Sequence, residues 1–247
     1  MDKLNFNYNS DISQEQKVDS ASMAKSFLSN VFTYMAGALS ITGIIAYWFA
    51  NSESLLSLLV NTQTGGMSML GYVVMFAPFI FVLVMSFSFN RLSSFTLLLL
   101  FVVYSALMGM SLSFIFLAYT AISIAQTFFT TAVAFGALSL YGYTTKRDLS
   151  GLGNFLFIGL IGIIVASIAN WFFQSPVMHL AISAIGVLIF AGLTAYDTQN
   201  IKNTYLQYRS AYGEEYAEKM GIMGALSLYL NFLNMFMFLL QFMGNRD

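Results

Sequence analysis

Seven separate stretches of this chain, each of about 20 mostly apolar residues, restrict the folds open to it more than any other feature. They cover about 28–50, 70–89, 95–118, 121–143, 153–174, 178–199 and 222–243. A helix of roughly 20 apolar residues spans the hydrocarbon core of a bilayer. The runs are continuously apolar instead of alternating, which argues against the strands of a membrane barrel. Composition points the same way. Of 247 residues, 58% are hydrophobic and 9% charged, whereas a soluble domain carries about 25% charge. The expected fold is therefore an all-α integral membrane bundle of seven transmembrane helices over residues 26–247, preceded by a polar tail at 1–25. That tail has no apolar core of the kind a cleaved signal peptide needs, so the first span is expected to stay in place as an anchor.

Basic residues set the expected orientation. Lys3, Lys17 and Lys25 precede the first span, Arg91 follows the second, Lys146 and Arg147 follow the fourth, and Lys202, Arg209 and Lys219 lie between the sixth and seventh. The alternate loops, 51–69, about 119–121 and 175–178, contain no lysine or arginine, and only Arg246 falls on their side. The positive-inside rule then puts the N-terminus in the cytosol and, with an odd number of spans, the C-terminus outside. The very short connectors near Tyr119 and Ser175 imply antiparallel neighbours at spans three and four and at five and six. Two small-residue pairs, Ala132 with Gly136 and Gly162 with Ala166, have the spacing that lets membrane helices approach closely. Pro78 removes a backbone donor from the second span.

Several function classes are excluded or weakened. A net charge of −1 provides no basic surface for nucleic acid. Without cysteine there are no disulfides, thiolate metal sites or cysteine nucleophiles. His179 is the one histidine. It lies at the outer start of span six without a nearby G-x-S-x-G motif, so a serine hydrolase or a histidine-based metal centre has little to build on. No span holds the lysine a retinal Schiff base requires, an aspartyl protease needs two facing carboxylates, and Gly151-Leu-Gly153 is too short for a nucleotide loop. No enzymatic activity and no resident cofactor are expected.

One acidic residue breaks the apolar pattern. Asp197, in Gly192-Leu-Thr-Ala-Tyr-Asp-Thr-Gln199, falls in the cytosolic end of span six. A carboxyl group at the bilayer centre costs about 2.5–3.5 kcal/mol, less near the interface, so it calls for a reason. Two readings stand: Asp197 reaches headgroup water with help from Lys202, or it faces the bundle interior as a protonatable switch or ion ligand. Span seven carries Asn231, Asn234 and Gln241, the last two seven residues apart and so nearly on one stripe. Asn231 lies about 15 Å from the cytosolic start of that span and can meet Asp197 if span six brings it to equal depth. Asn170 and Gln174, one turn apart, suit capping of the outer end of span five.

Four segments resemble the Bax inhibitor-1 family (transmembrane Bax-inhibitor motif proteins) in its bacterial branch: FTYMAGALSITGIIAYW, FGALSLYGYTTKRDLSGLGNFLFIGLIGIIVASIAN, IGVLIFAGLTAYDTQNIK and GALSLYLNFLNMF. The resemblance implies a bundle whose last helix is wrapped by the other six, in the cell inner membrane. It further implies a pH-sensitive calcium leak, closed by two aspartates that share a proton between spans six and seven. It also links the chain to stress responses and to modulation of a membrane-bound AAA protease. Asp197 matches the first aspartate; the second falls at Asn231, where Leu-Tyr-Leu-Asn stands in place of Leu-Tyr-Leu-Asp. On this resemblance Asp197 and Asn231 form the gate and pH sensor, with Asp197 a transient calcium contact. Arg91 is a candidate counter-ion, and Asn234 and Gln241 are candidate polar groups of pore or latch. Calcium enters only as a permeant ion; the partners are the lipid bilayer, calcium ions and an AAA protease. The alternative reading is a regulatory protein that engages that protease through its cytosolic tail and loops.

Overall fold

A computed structural model describes residues 2–61 and 66–245, with the side chains of 2–21 and 206 left aside. Among the described residues eight α-helices follow one another: α1 (Asp2–Ala50), α2 (Glu53–Leu59), α3 (Met69–Ser88), α4 (Ser94–Leu112), α5 (Ala121–Thr144), α6 (Ser150–Phe173), α7 (Pro176–Tyr212) and α8 (Glu214–Met243). A 3-10 segment, Ser113–Leu117, prolongs α4. All but α2 contain a stretch long and apolar enough to cross a membrane, so the seven expected spans are present. The chain is an all-helical membrane protein.

Local sequence explains where the helices begin. Ser68, Ser93, Thr120 and Ser175 each sit at an N-cap, where the side-chain oxygen accepts a hydrogen bond from a backbone N–H three residues on. Pro176, at the first position of α7, lacks the N–H that would otherwise be unpaired. Gln174 ends α6 in the left-handed conformation (φ 50°), and Ser175 donates its backbone N–H to Asn170 Oδ1. Asn170 thus caps the turn, as its position suggested.

Helix extents depart from the apolar boundaries. The helical backbone of α1 begins at Asp2, well before the apolar run. The segment between spans six and seven is no loop: α7 continues to Tyr212, α8 starts at Glu214, and Gly213 alone (φ 87°) makes the connection. Polar residues there end the membrane match without ending the helix, because no glycine or proline occurs between Gly192 and Gly213. The protruding parts pack together through Ala24, Tyr205 and Ala217.

The last helix is the most buried of the seven spans. In its apolar window 61% of α8 is buried, against 17–33% for the other six spans. It packs against α1, α4, α5 and α7, while α3 lies on α4 and α6 on α7. The consecutive helices α4 and α5 are joined by a short connector but share only α8 as a neighbour, α4 packing also with α1 and α3 and α5 also with α7. Close approach is carried by glycines other than the pairs singled out from spacing. A Cβ at Gly142 would strike the Ala195 carbonyl of α7, one at Gly153 the Tyr196 ring, and one at Gly186 the Phe238 ring. Gly136 and Gly162 face open space instead. Spacing alone does not say which side of a lipid-bathed helix is covered.

Candidate functional site

Among the described residues α7 and α8 form the most extensive helix pairing, and Asp197 lies in it. Ser227 Oγ donates to Asp197 Oδ2 at 2.6 Å, and Asn231 Nδ2 donates to the same oxygen at 2.8 Å. Ser227 and Asn231 are one turn apart on α8, so a single helix face presents both donors. Asn231 is 5% exposed. Asp197 is half-buried, and its Oδ1 accepts no hydrogen bond among the described residues. It lines a crevice of about 180 Å³ with Asn200, Thr204, Tyr205 and Tyr208 of α7 and Met220 of α8. Asp197 is the one charged side chain among the residues lining it.

Lys202 is not the partner of Asp197. Its Nζ donates to the Tyr143 carbonyl at 2.7 Å and lies over the Tyr143 ring, 4.9 Å from the centroid, tying α7 to α5. Arg91 is exposed in the α3–α4 connection and forms no ion pair with Asp197; the ion pairs among the described residues are Arg209–Glu214 and Lys219–Glu215. Asn234 donates to the Leu230 carbonyl of its own helix at 2.8 Å, and Gln241 Oε1 accepts from Ser183 Oγ at 3.4 Å. Of the amides on α8, only Asn231 is brought to Asp197. Arg246, used for orientation, lies outside the described residues, as do the side chains of Lys3 and Lys17.

Three groups at or near the site were not singled out from sequence. Ser227 completes the cradle for Asp197; its position one turn before Asn231 is the signal that marks it. Gln199, two residues beyond Asp197, is 7% exposed and clamps the α5–α6 loop: its Oε1 accepts from Leu149 N at 2.8 Å and its Nε2 donates to the Arg147 carbonyl at 2.7 Å. In that loop Asp148 accepts from the Ser150 backbone N–H, and Ser150, by its side chain first and then its backbone, holds the Asp148 carboxyl below the usual carboxylate range. Deeper in the bundle, Thr42 of α1 shares a 2.7 Å hydrogen bond with the Tyr229 hydroxyl and donates to the Ser105 carbonyl of α4 at 2.8 Å. This three-helix junction fixes α8 on the far side from α7.

The family model described as "Inhibitor of apoptosis-promoting Bax1" matches residues 24–247. The chain belongs to the Bax inhibitor-1 family. Among its relatives, the inner membrane protein YbhL of Escherichia coli (strain K12) is 45% identical over 222 residues, 90% of this chain and 92% of YbhL. An uncharacterized protein of Rickettsia prowazekii is 44% identical, covering 89% of each chain. An uncharacterized membrane protein of Streptococcus pyogenes serotype M1 is 38% identical, over 90% of this chain and 93% of its own length. The match covers every span, and the seven apolar helices together with the likeness to YbhL make this Bax inhibitor-1 family member an integral protein of the inner membrane.

Proposed function

We propose that this protein is a calcium-permeable leak whose path is held shut by the contact of Asp197 with α8, and whose response to pH is weak. The cradle at Asp197 Oδ2 supports this reading: α7 and α8 are joined there by two hydrogen bonds, beside a crevice that opens towards the basic end of the bundle. The free Oδ1 offers a cation one carboxylate oxygen. Calcium takes 6–8 oxygen ligands, so contact there is transient and completed by water, which suits passage over storage.

The weak pH response follows from Asn231. Two touching carboxylates share one proton, and its loss sets like charges against each other. An amide N–H donates to Asp197 whether that residue is ionised or not, and adds no charge. Calcium flux into proteoliposomes between about pH 6 and 8 is the test. Weak, nearly pH-independent flux in the native protein, flux rising with pH in Asn231→Asp, and loss of flux in Asp197→Asn support the proposal. No flux above empty liposomes in any folded variant overturns it.

A second reading, a regulatory protein that engages a membrane AAA protease, is favoured by the helical ends of α1, α7 and α8 beyond the apolar core. Tyr208, Tyr212 and Tyr216 cluster there, with Tyr212 and Tyr216 4.7 Å apart, and Phe89 joins Tyr216 at 5.4 Å. Deleting the tail, residues 1–25, removes regulation under this reading and leaves calcium flux intact under the first.

A further inference from the structure

Away from Asp197, a cavity of about 540 Å³ lies between α3, α4 and α8. Its wall is mostly apolar, with Met75, Phe79, Val82, Leu83, Met108 and Met237 among the lining residues. Three polar side chains also line it: Tyr104, Ser111 and Asn234. Tyr104 is 2% exposed, yet its hydroxyl has no hydrogen-bond partner among the described residues. Ser111 Oγ likewise has none. Asn234 uses one N–H on Leu230 and leaves its second N–H and its Oδ1 free. Polar groups removed from water are normally paired, and each that is not costs free energy. Three of them around one apolar space mark the place of a missing partner.

Depth narrows the partner. Tyr104 lies midway along the span Ser94–Leu117, Pro78 midway along Met69–Ser88, and Asn234 beyond the middle of Glu214–Met243. The cavity is therefore near the bilayer midplane, about 15 Å from the headgroup boundary. A phospholipid brings only methylenes to that depth and leaves all three polar groups unpaired. The polar groups are rich in donors: two hydroxyls and an amide N–H, against a single obligate acceptor. They match a ligand that accepts hydrogen bonds while being otherwise apolar. Phe79 (71% exposed) and Leu83 (54%) put the entrance on the lipid side, and the methionines supply an adaptable lining.

We propose that the cavity between α3, α4 and α8 binds a lipid-soluble carbonyl compound of the quinone type, which enters from the bilayer and is held by Tyr104, Ser111 and Asn234. The site shares no lining residue with the crevice at Asp197, so it stands independently of the leak.

The test uses the full chain in phosphatidylcholine nanodiscs, titrated with decylubiquinone and, separately, with decylbenzene, which lacks carbonyls; the unfolding temperature is followed. Decylubiquinone should raise it saturably and decylbenzene should not. Asn234→Leu and the near-isosteric pair Tyr104→Phe with Ser111→Ala should each weaken the effect about tenfold or more, as loss of hydrogen bonds to a ligand does. If Asn234→Leu does not fold, the isosteric pair carries the comparison. The proposal fails if the folded native chain shows no saturable shift. It also fails if decylbenzene acts equally, or if the isosteric pair binds as tightly as the native chain; the polar groups would then be satisfied by water alone.

Discussion

Asp197 receives both of its hydrogen bonds at one oxygen, Oδ2, from two residues a turn apart on α8. That asymmetry separates the roles of the two donors. Ser227→Ala removes one bond and leaves Asn231 in place, so α7 and α8 should stay paired with a weaker hold. Calcium flux should rise, by less than a pair of facing carboxylates produces above neutral pH in Asn231→Asp; a Ser227→Ala protein with unchanged flux would speak against a latch at Oδ2. Gln199 makes a different prediction. Gln199→Leu leaves a backbone N–H and a backbone carbonyl of the α5–α6 loop without partners, which should cost about 1–3 kcal/mol per buried group. Tryptic cleavage after Lys146 and Arg147 should accelerate in that variant, and equal cleavage rates would show that the loop is held elsewhere.

Between helices, close approach and backbone conformation decide what a glycine is worth. Gly142 has its Cα against the Ala195 carbonyl, a backbone atom that cannot turn aside, so Gly142→Leu should part α5 from α7 and destabilise the bundle by at least the 1–3 kcal/mol typical of overpacking. Gly162→Leu meets open space and should leave the unfolding temperature in detergent unchanged. Gly213 is demanding for another reason. Its φ of 87° and ψ of 178° fall where L side chains are strained, so Gly213→Ala should cost about 1–3 kcal/mol although nothing lies within 4 Å of the added methyl. The apolar runs already located these helices, but the spacing of small residues misdirected attention to Gly136 and Gly162. A four-residue repeat identifies a face, and in lipid an uncovered face is as apolar as a covered one.

Among the described residues, one end of the molecule is basic and the other holds no lysine or arginine. The α3–α4 and α5–α6 connections carry Arg91, Lys146 and Arg147, Arg209 lies in the last turn of α7, and these parts meet at one end through Phe89 on Tyr216 and Lys202 on Tyr143. With no native cysteine, orientation is directly measurable. In intact cells an impermeant thiol reagent should label Asn51→Cys and Ser175→Cys and leave Thr145→Cys unlabelled. The opposite pattern would invert the topology and, with it, the side on which the Asp197 crevice opens.

Sequence by itself determined the seven spans, the helical class, the charge asymmetry and the isolation of Asp197. Each of these follows from the cost of placing polar atoms in hydrocarbon, which is paid residue by residue and so is written along the chain. It also placed Asn231 at a depth where it could meet Asp197. Only the tertiary structure decided that it does, that Ser227 joins it, and that Lys202, Arg91, Asn234 and Gln241 turn elsewhere. The rotation of α8 against α7 chooses among polar neighbours of similar depth. That rotation is fixed by close contacts spread over several helices, among them Gly186 against Phe238 and Thr42 with Tyr229, which no local pattern in the sequence encodes.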